Sequence, residues 1–262
     1  MSVKETLQTH WQEYLIEAWA LGSFMLSACL FTALLEYPGS PLHPLIANET
    51  ARRGLIGLAM GLTAVGLIYS PWGKRSGAHM NPSVTLTFWR LGKISMDDAV
   101  FYVLFQFLGG WLGVVLSSFI LGRVIADPAV AYAVTVPGPA GPVVAWWAEF
   151  AISFFLMGMI LVVSNQSRIA SMTGLFAGVL IALYVLVEAP FSGMSMNAAR
   201  TLGSALPAKR YDHLWIYFTA PVLGMLLAGE LYRQWRERVV CAKLVHDDKV
   251  RCIFCETVTS RS

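Results

Sequence analysis

The sequence predicts an all-α membrane protein, with six transmembrane helices and two re-entrant half-helices arranged as an inverted repeat. Three observations lead there. First, 56% of the 262 residues are apolar and only 13% charged, whereas soluble domains carry about 25% charged residues. Second, the apolar residues fall in six long runs, near 13–35, 54–72, 97–122, 145–164, 173–190 and 212–235. Each run is close to the ~20 residues that cross a hydrocarbon core of about 30 Å. Third, a semi-apolar piece of about ten residues, too short to cross, follows the second run and recurs in altered form after the fifth.

The first run has no basic segment before it and no small-residue cleavage pattern near it, so it reads as a retained span and not as a removed leader. Gly, Pro and charged residues mark the breaks between runs. Residues 1–12 precede the channel-sized region 13–235, which divides into one repeat over about 13–122 and another over about 145–235. A Cys- and His-containing tail, 236–262, follows. Six crossings put both termini on one side of the membrane. If that side is the cytoplasm it holds thirteen of the nineteen Lys and Arg, which the positive-inside bias favours, although the pair Arg52-Arg53 falls on the other side. The net charge of +3 is small and scattered among apolar runs, which argues against a nucleic-acid partner. His43, His79 and His213 are dispersed, with no nucleophile–base spacing around them. No enzymatic activity is expected.

The two short pieces run Ser76-Gly77-Ala78-His79-Met80-Asn81-Pro82-Ser83-Val84-Thr85-Leu86 and Ser192-Gly193-Met194-Ser195-Met196-Asn197-Ala198-Ala199-Arg200-Thr201-Leu202. Ser, Gly, Met, Asn, Thr and Leu recur in register. Three spans separate the copies, so they enter from opposite faces, as in inverted-topology repeats. A half-helix that stops at mid-membrane leaves orphan N–H groups and a positive dipole end there, tolerable only if capped or lining a wet cavity. Asn81 and Asn197 stand where the caps are needed. Each carbonyl oxygen can accept from first-turn amides while the side-chain NH₂ points into a pore. Pro82 suits the first helical position, whose N–H has no partner in any case. Glu17 in the first span and Glu149 in the fourth form a further correspondence between the halves.

Ser-Gly-Ala-His-Met-Asn-Pro-Ser-Val-Thr and Met-Asn-Ala-Ala-Arg-Thr resemble the two Asn-Pro-Ala signatures of the aquaporin, or major intrinsic protein, family, and the likeness covers nearly all of 13–235. The resemblance implies a homotetramer in the plasma (inner) membrane, each protomer with its own pore for water and small neutral solutes. No cofactor is required, and Glu17 and Glu149 are scaffolding that holds the half-helix loops. It also places Arg200 at the outer constriction, with Val185, twelve residues before Asn197, Met194, and either Met60 or Gly61 as the other filter positions. His79 either gates by protonation or, as a neutral ring, bonds the Asn81 loop. Two departures stand out, Ser83 in place of Ala and Ala198 in place of Pro. Val and Met offer no donor opposite Arg200, which suggests a less polar filter that passes glycerol or ammonia as well as water. Tyr217-Phe218, by contrast, is an aromatic pair of the water-channel kind. Inverted repeats also build secondary transporters, the alternative here, but the spans contain few carboxylates besides Glu17 and Glu149 to bind a driving ion.

In the tail, Cys241, His246, Cys252 and Cys255 place four soft donors within fifteen residues, beyond a basic stretch ending near Arg238. Such a set suits tetrahedral zinc. Reduced thiols without a ligand, or a redox pair, are the alternatives.

Overall fold

The computed structural model describes residues 3–236, 239–247 and 249–255; Arg238 and Arg261, counted above among the cytoplasmic charges, lie outside the described residues. Eleven α-helices occur in these segments: α1 (Val3–Glu36), α2 (Leu42–Leu45), α3 (Glu49–Tyr69), α4 (Pro71–Ser76), α5 (Pro82–Arg90), α6 (Met96–Leu121), α7 (Pro142–Ser164), α8 (Thr173–Val187), α9 (Ala189–Ser192), α10 (Ala198–Ala208) and α11 (Leu214–Trp235). Six of the helical stretches are long and apolar enough to cross a membrane. The helix boundaries follow from local chemistry. The Asn48 side chain caps α3, accepting from the Ala51 amide at 2.9 Å. Ser70 then caps α4, accepting from Gly73 N, and Pro71 at the first position of α4 stops α3. Ser95 caps α6 through the Asp98 amide. The first helix begins ten residues before the apolar run because its polar start is anchored: His10 Nδ1 and the Tyr14 hydroxyl meet Asp98 Oδ1 at 2.7 and 2.6 Å, and Arg75 pairs with Glu13 at 3.0 Å.

The three most extensive helix contacts are α1 with α6, α7 with α11, and α3 with α8. In repeat terms these are first with third, fourth with sixth, and second with fifth, which is the pairing that an inverted repeat requires. In lipid the apolar effect does not drive helices together, so close backbone approach through small residues matters more. The crossings are built that way. A Cβ on Gly109 would collide with the Ala18 backbone, one on Gly113 with Gly22, one on Gly61 with the Gly178 carbonyl, and one on Gly224 with the Phe150 carbonyl. Large apolar side chains such as Leu62, Phe119, Phe155 and Leu183 are exposed on the outside of the bundle, where lipid would cover them. Six exposed tryptophans lie near helix ends, Trp11, Trp72, Trp89 and Trp235 at one side and Trp147 and Trp215 at the other, the position of interfacial aromatic belts, while Trp19 and Trp111 are exposed within long helices.

Gly109→Val should separate α1 from α6 and lower stability by roughly 2 kcal/mol or more, read as a fall in the thermal unfolding midpoint of the detergent-solubilised protein. Gly158→Val, where nothing lies within 4 Å of the added Cβ, should leave that midpoint nearly unchanged.

Candidate functional site

The two re-entrant loops have the same construction. Glu17 accepts from the Ser76 hydroxyl at 2.7 Å and from the His79 and Met80 amides at 3.1 and 2.6 Å. Glu149 accepts from the Ser192 hydroxyl at 2.6 Å and from the Ser195 and Met196 amides at 2.7 and 2.6 Å. Each serine hydroxyl also accepts from the amide two residues on, and each serine carbonyl accepts from a buried tyrosine, Tyr102 in one half and Tyr217 in the other. Both glutamates are fully buried. One serine hydroxyl and two backbone amides on each glutamate tie the loop to its long helix. Backbone strain recurs in register too: Gly77 and Gly193, Ala78 and Met194, and Met80 and Met196 all take positive φ.

These loops deliver Asn81 and Asn197 to the same point. Asn81 caps α5, accepting from Ser83 N at 2.8 Å; Asn197 caps α10, accepting from the Ala199 and Arg200 amides at 3.0 and 3.1 Å. Each then spends one side-chain N–H on the other loop: Asn81 Nδ2 donates to the Met196 carbonyl and Asn197 Nδ2 to the Met80 carbonyl, both at 2.7 Å. The positive ends of two half-helices therefore face each other. One hydrogen of each NH₂ is committed to this cross-tie and the second is left for a solute.

Both asparagines line a cavity of about 530 Å³. Its wall is largely apolar, with stripes from α1 (Leu21, Phe24, Ala28), α3 (Ile56, Met60, Ala64) and α8 (Ala177, Ile181, Val185), while Arg52, Arg53 and Arg210 lie at the far mouth. Arg200, Val185 and Met194 are on the wall, and Arg200 Nη1 donates to the Ala133 carbonyl at 2.8 Å. That carbonyl is presented by Ala131, Tyr132 and Ala133, all at positive φ. Of the two second-span candidates, Met60 lines the cavity and Gly61 does not, because Gly61 is consumed in the crossing with Gly178. Gly57 packs against Val185 whereas Gly61 packs against Gly178 and Ala182. The level of Val185 is thus that of Ile56, a cavity residue one turn from Met60 toward Glu49, which counting within the motifs passed over.

His79 is buried and not free in the pore. Its Nδ1 lies 3.0 Å from Thr85 Oγ1 and its Nε2 2.5 Å from the carbonyl oxygen of Ala242 in the tail. A carbonyl only accepts, so Nε2 carries a hydrogen, and Nδ1 faces the Thr85 hydroxyl, which also donates to the Asn81 carbonyl at 3.3 Å. Ser195 takes the corresponding place in the second loop, within 2.6 Å of Thr201 Oγ1. The tail donors converge as well: Cys241 Sγ stands 3.5 Å from Cys252 Sγ and 3.5 Å from Cys255 Sγ, and Cys255 Sγ 3.4 Å from His246 Nε2. The Cys252 thiol is held down to about 5 by its hydrogen bond with Cys241 and the Lys243 charge, while Cys241 is pushed up.

Tyr102 and Gln106, whose amide donates to Glu17 at 2.9 Å, were not singled out from the sequence. The signal for Tyr102 was available, since it stands to the first loop as Tyr217 stands to the second. No comparable signal marked Ala242, Leu244 or Phe254.

Fold and site together define a six-span, inverted-repeat membrane protein in which two Asn-capped half-helices meet in a central cavity. The sequence model of the major intrinsic protein family matches residues 4–232, and the chain belongs to that family. It is an integral membrane protein. Aquaporin NIP6-1 of Arabidopsis thaliana is 32% identical over 203 residues, covering 77% of this chain and 65% of the relative. Aquaporin NIP1-1 of the same plant is 35% identical over 184 residues, covering 69% and 62%. The chain spans about six tenths of the length of the curated relatives it matches. The X-ray structure of the aquaglyceroporin from Plasmodium falciparum shares the fold, with a TM-score of 0.72 at 19% identity, over 85% of this chain and 95% of that one.

Two substitutions at the caps test the local chemistry. Asn197 has φ −154 and ψ 108, nearly the values of Asn81 before Pro82, φ −155 and ψ 120, and this extended conformation is the one a residue before proline prefers. Ala198→Pro should therefore fit and raise stability by about 0.4–1 kcal/mol, seen as a higher melting midpoint in detergent. Ser83 is fully buried with no partner for its hydroxyl among the described residues, and Ser83→Ala should raise stability by about 1–3 kcal/mol, seen as a higher melting midpoint.

Proposed function

We propose that the chain is a passive transmembrane channel for water and small neutral solutes such as glycerol or ammonia, excluding protons and ions. The observation that carries this reading is the crossed pair Asn81 and Asn197 on the cavity wall, each with one amide hydrogen still to give. A water molecule arriving there would accept from both asparagines through its oxygen and turn its hydrogens away. With both lone pairs taken it can donate to neighbouring waters but not accept from them, and so cannot relay protons along a continuous file. The two facing dipole ends and the Arg200 guanidinium add a positive potential that opposes H₃O⁺ and metal cations. Val185, Met194 and Ile56, which line the same cavity as Arg200, offer carbon where a narrow water filter would need donors, which supports passage of less polar solutes. The printed names of the relatives, aquaporins, and of the structural neighbour, an aquaglyceroporin, support the same class.

On this reading residues 13–235 are the channel domain. The protein is a homotetramer in the plasma (inner) membrane, and the Lys and Arg bias supports cytoplasmic termini. No cofactor takes part in conduction, and the tail cluster is a zinc site. Ion-coupled transport is disfavoured because Glu17 and Glu149 are occupied by loop amides, buried Glu188 is not among the cavity-lining residues, and the two carboxylates that are, Glu36 and Glu49, pair with Arg52 and Arg53.

Stopped-flow light scattering on proteoliposomes held in a metal chelator tests the reading. Water and glycerol flux should be non-saturable, with a low activation energy. Arg200→Val should increase glycerol and proton permeability several-fold. Saturable uptake driven by an ion gradient would sink the channel reading.

A further inference from the structure

The described tail residues form no helix or strand, yet Val239, Cys241, Ala242, Leu244, Val245, Cys252, Ile253 and Phe254 are all buried, in one core with Tyr14, Phe88 and Tyr102 of the bundle. They occupy the mouth at the His79 end of the cavity. Leu244 is part of the cavity wall. Its amide donates to the Gly77 carbonyl at 3.2 Å, the Ala242 carbonyl accepts from His79, and the Phe254 ring stacks on His79 with centroids 5.8 Å apart and planes 5° from parallel. Those contacts hold the first re-entrant loop. Across the mouth, Val240 N donates to Asn165 Oδ1 at 2.6 Å, just beyond α7, and Lys74 pairs with Asp247 at 3.1 Å. The tail thus bridges the two repeats over the pore.

What folds such a segment is the second question, since ordering irregular backbone is costly. The four donor atoms of Cys241, His246, Cys252 and Cys255 lie within 4.8 Å of one another. A tetrahedron with zinc bonds of about 2.3 Å to sulfur and 2.0 Å to nitrogen has edges of about 3.5–3.8 Å, and the 3.4–3.5 Å separations approach these. A disulfide would use two sulfurs and leave the third thiol and the imidazole idle. Charge points the same way. Three thiolates and one Zn²⁺ sum to a single negative charge, and Lys243, only 1% exposed, lies beside them with Nζ bonded to the Arg251 carbonyl at 2.8 Å. A buried ammonium calls for an anion, and the metal-thiolate site supplies one. The Lys243–Arg251 bond also joins the two limbs of the tail, one carrying Leu244 and the other Phe254.

We propose that the tail is a metal-set plug: a zinc ion held by Cys241, His246, Cys252 and Cys255 keeps the described tail residues, 239–247 and 249–255, folded in the pore mouth and closes it, and withdrawal of the metal opens it. Because ligation and folding of such small sites are one event, loss of zinc releases Leu244 and Phe254 together. The proposal rests on the channel reading above.

The test uses the full chain in proteoliposomes, with zinc measured by elemental analysis and water and glycerol flux by stopped-flow light scattering. One zinc per chain is expected, with permeability close to that of empty liposomes. Chelation should raise water permeability about tenfold, and added Zn²⁺ should restore closure. Cys252→Ser with Cys255→Ser should bind no zinc and stay open, whereas Leu244→Ala should keep its zinc and still leak. Equal, substantial permeability with and without stoichiometric zinc would overturn the plug. Absence of zinc, or a Cys241–Cys252 disulfide in protein isolated with its thiols blocked, would overturn the metal site. If the chelated chain and all the variants are reconstituted with helical content intact and conduct nothing, the channel reading itself fails.

Discussion

A backbone that turns back in the middle of a bilayer has no water to satisfy its amides, and the centre of this protein is organised around that constraint. Glu17 and Glu149 are placed on long helices so that each carboxylate meets the amides just before an asparagine. Once the loops are held, the asparagines can cap their helices and reach across to each other's loop carbonyls. The glycine crossings serve the same end, since α1 and α7, which carry the glutamates, must lie close enough to α6 and α11 for Tyr102 and Tyr217 to complete the loops. Removing any of these parts leaves polar backbone unpaired where it costs most.

The two halves are alike in this framework and unlike where they meet the solvent. The second loop carries Ser195, a small hydroxyl bonded within its own repeat to Thr201. The first carries His79, long enough to pass a hydrogen bond outward to the tail. One mouth is ringed by arginines, and the other is filled by a chain segment. A symmetric fold has thus been given one regulated end, through the difference between a serine and a histidine at equivalent places.

Much of this was legible in the residues themselves. Apolar runs of spanning length have few alternatives in a chain so poor in charge, and a duplicated Asn-led piece between spans has a physical use only if both copies meet. Register within the duplicated piece therefore identified Asn81 and Asn197, which need their neighbours in sequence to do their work, while Glu17 and Glu149 lie outside it and came from the correspondence between the first and fourth spans and from the family resemblance. Gly61 shows where counting stops: in sequence it competes with Met60 for the pore, and its role is assigned by a helix crossing with Gly178.

Sequence alone therefore determined the class of fold, the inverted repeat and the identity of the capping residues, since these depend on hydropathy, spacing and local hydrogen-bonding chemistry along the chain. Tertiary structure alone decided which wall residues share a level with Val185, that each asparagine spends a hydrogen on the opposite loop, and that the described tail residues lie in the pore mouth. Those facts depend on distances between segments far apart in the chain. Hydropathy and periodicity carry no record of such distances, least of all for a tail that packs without regular secondary structure.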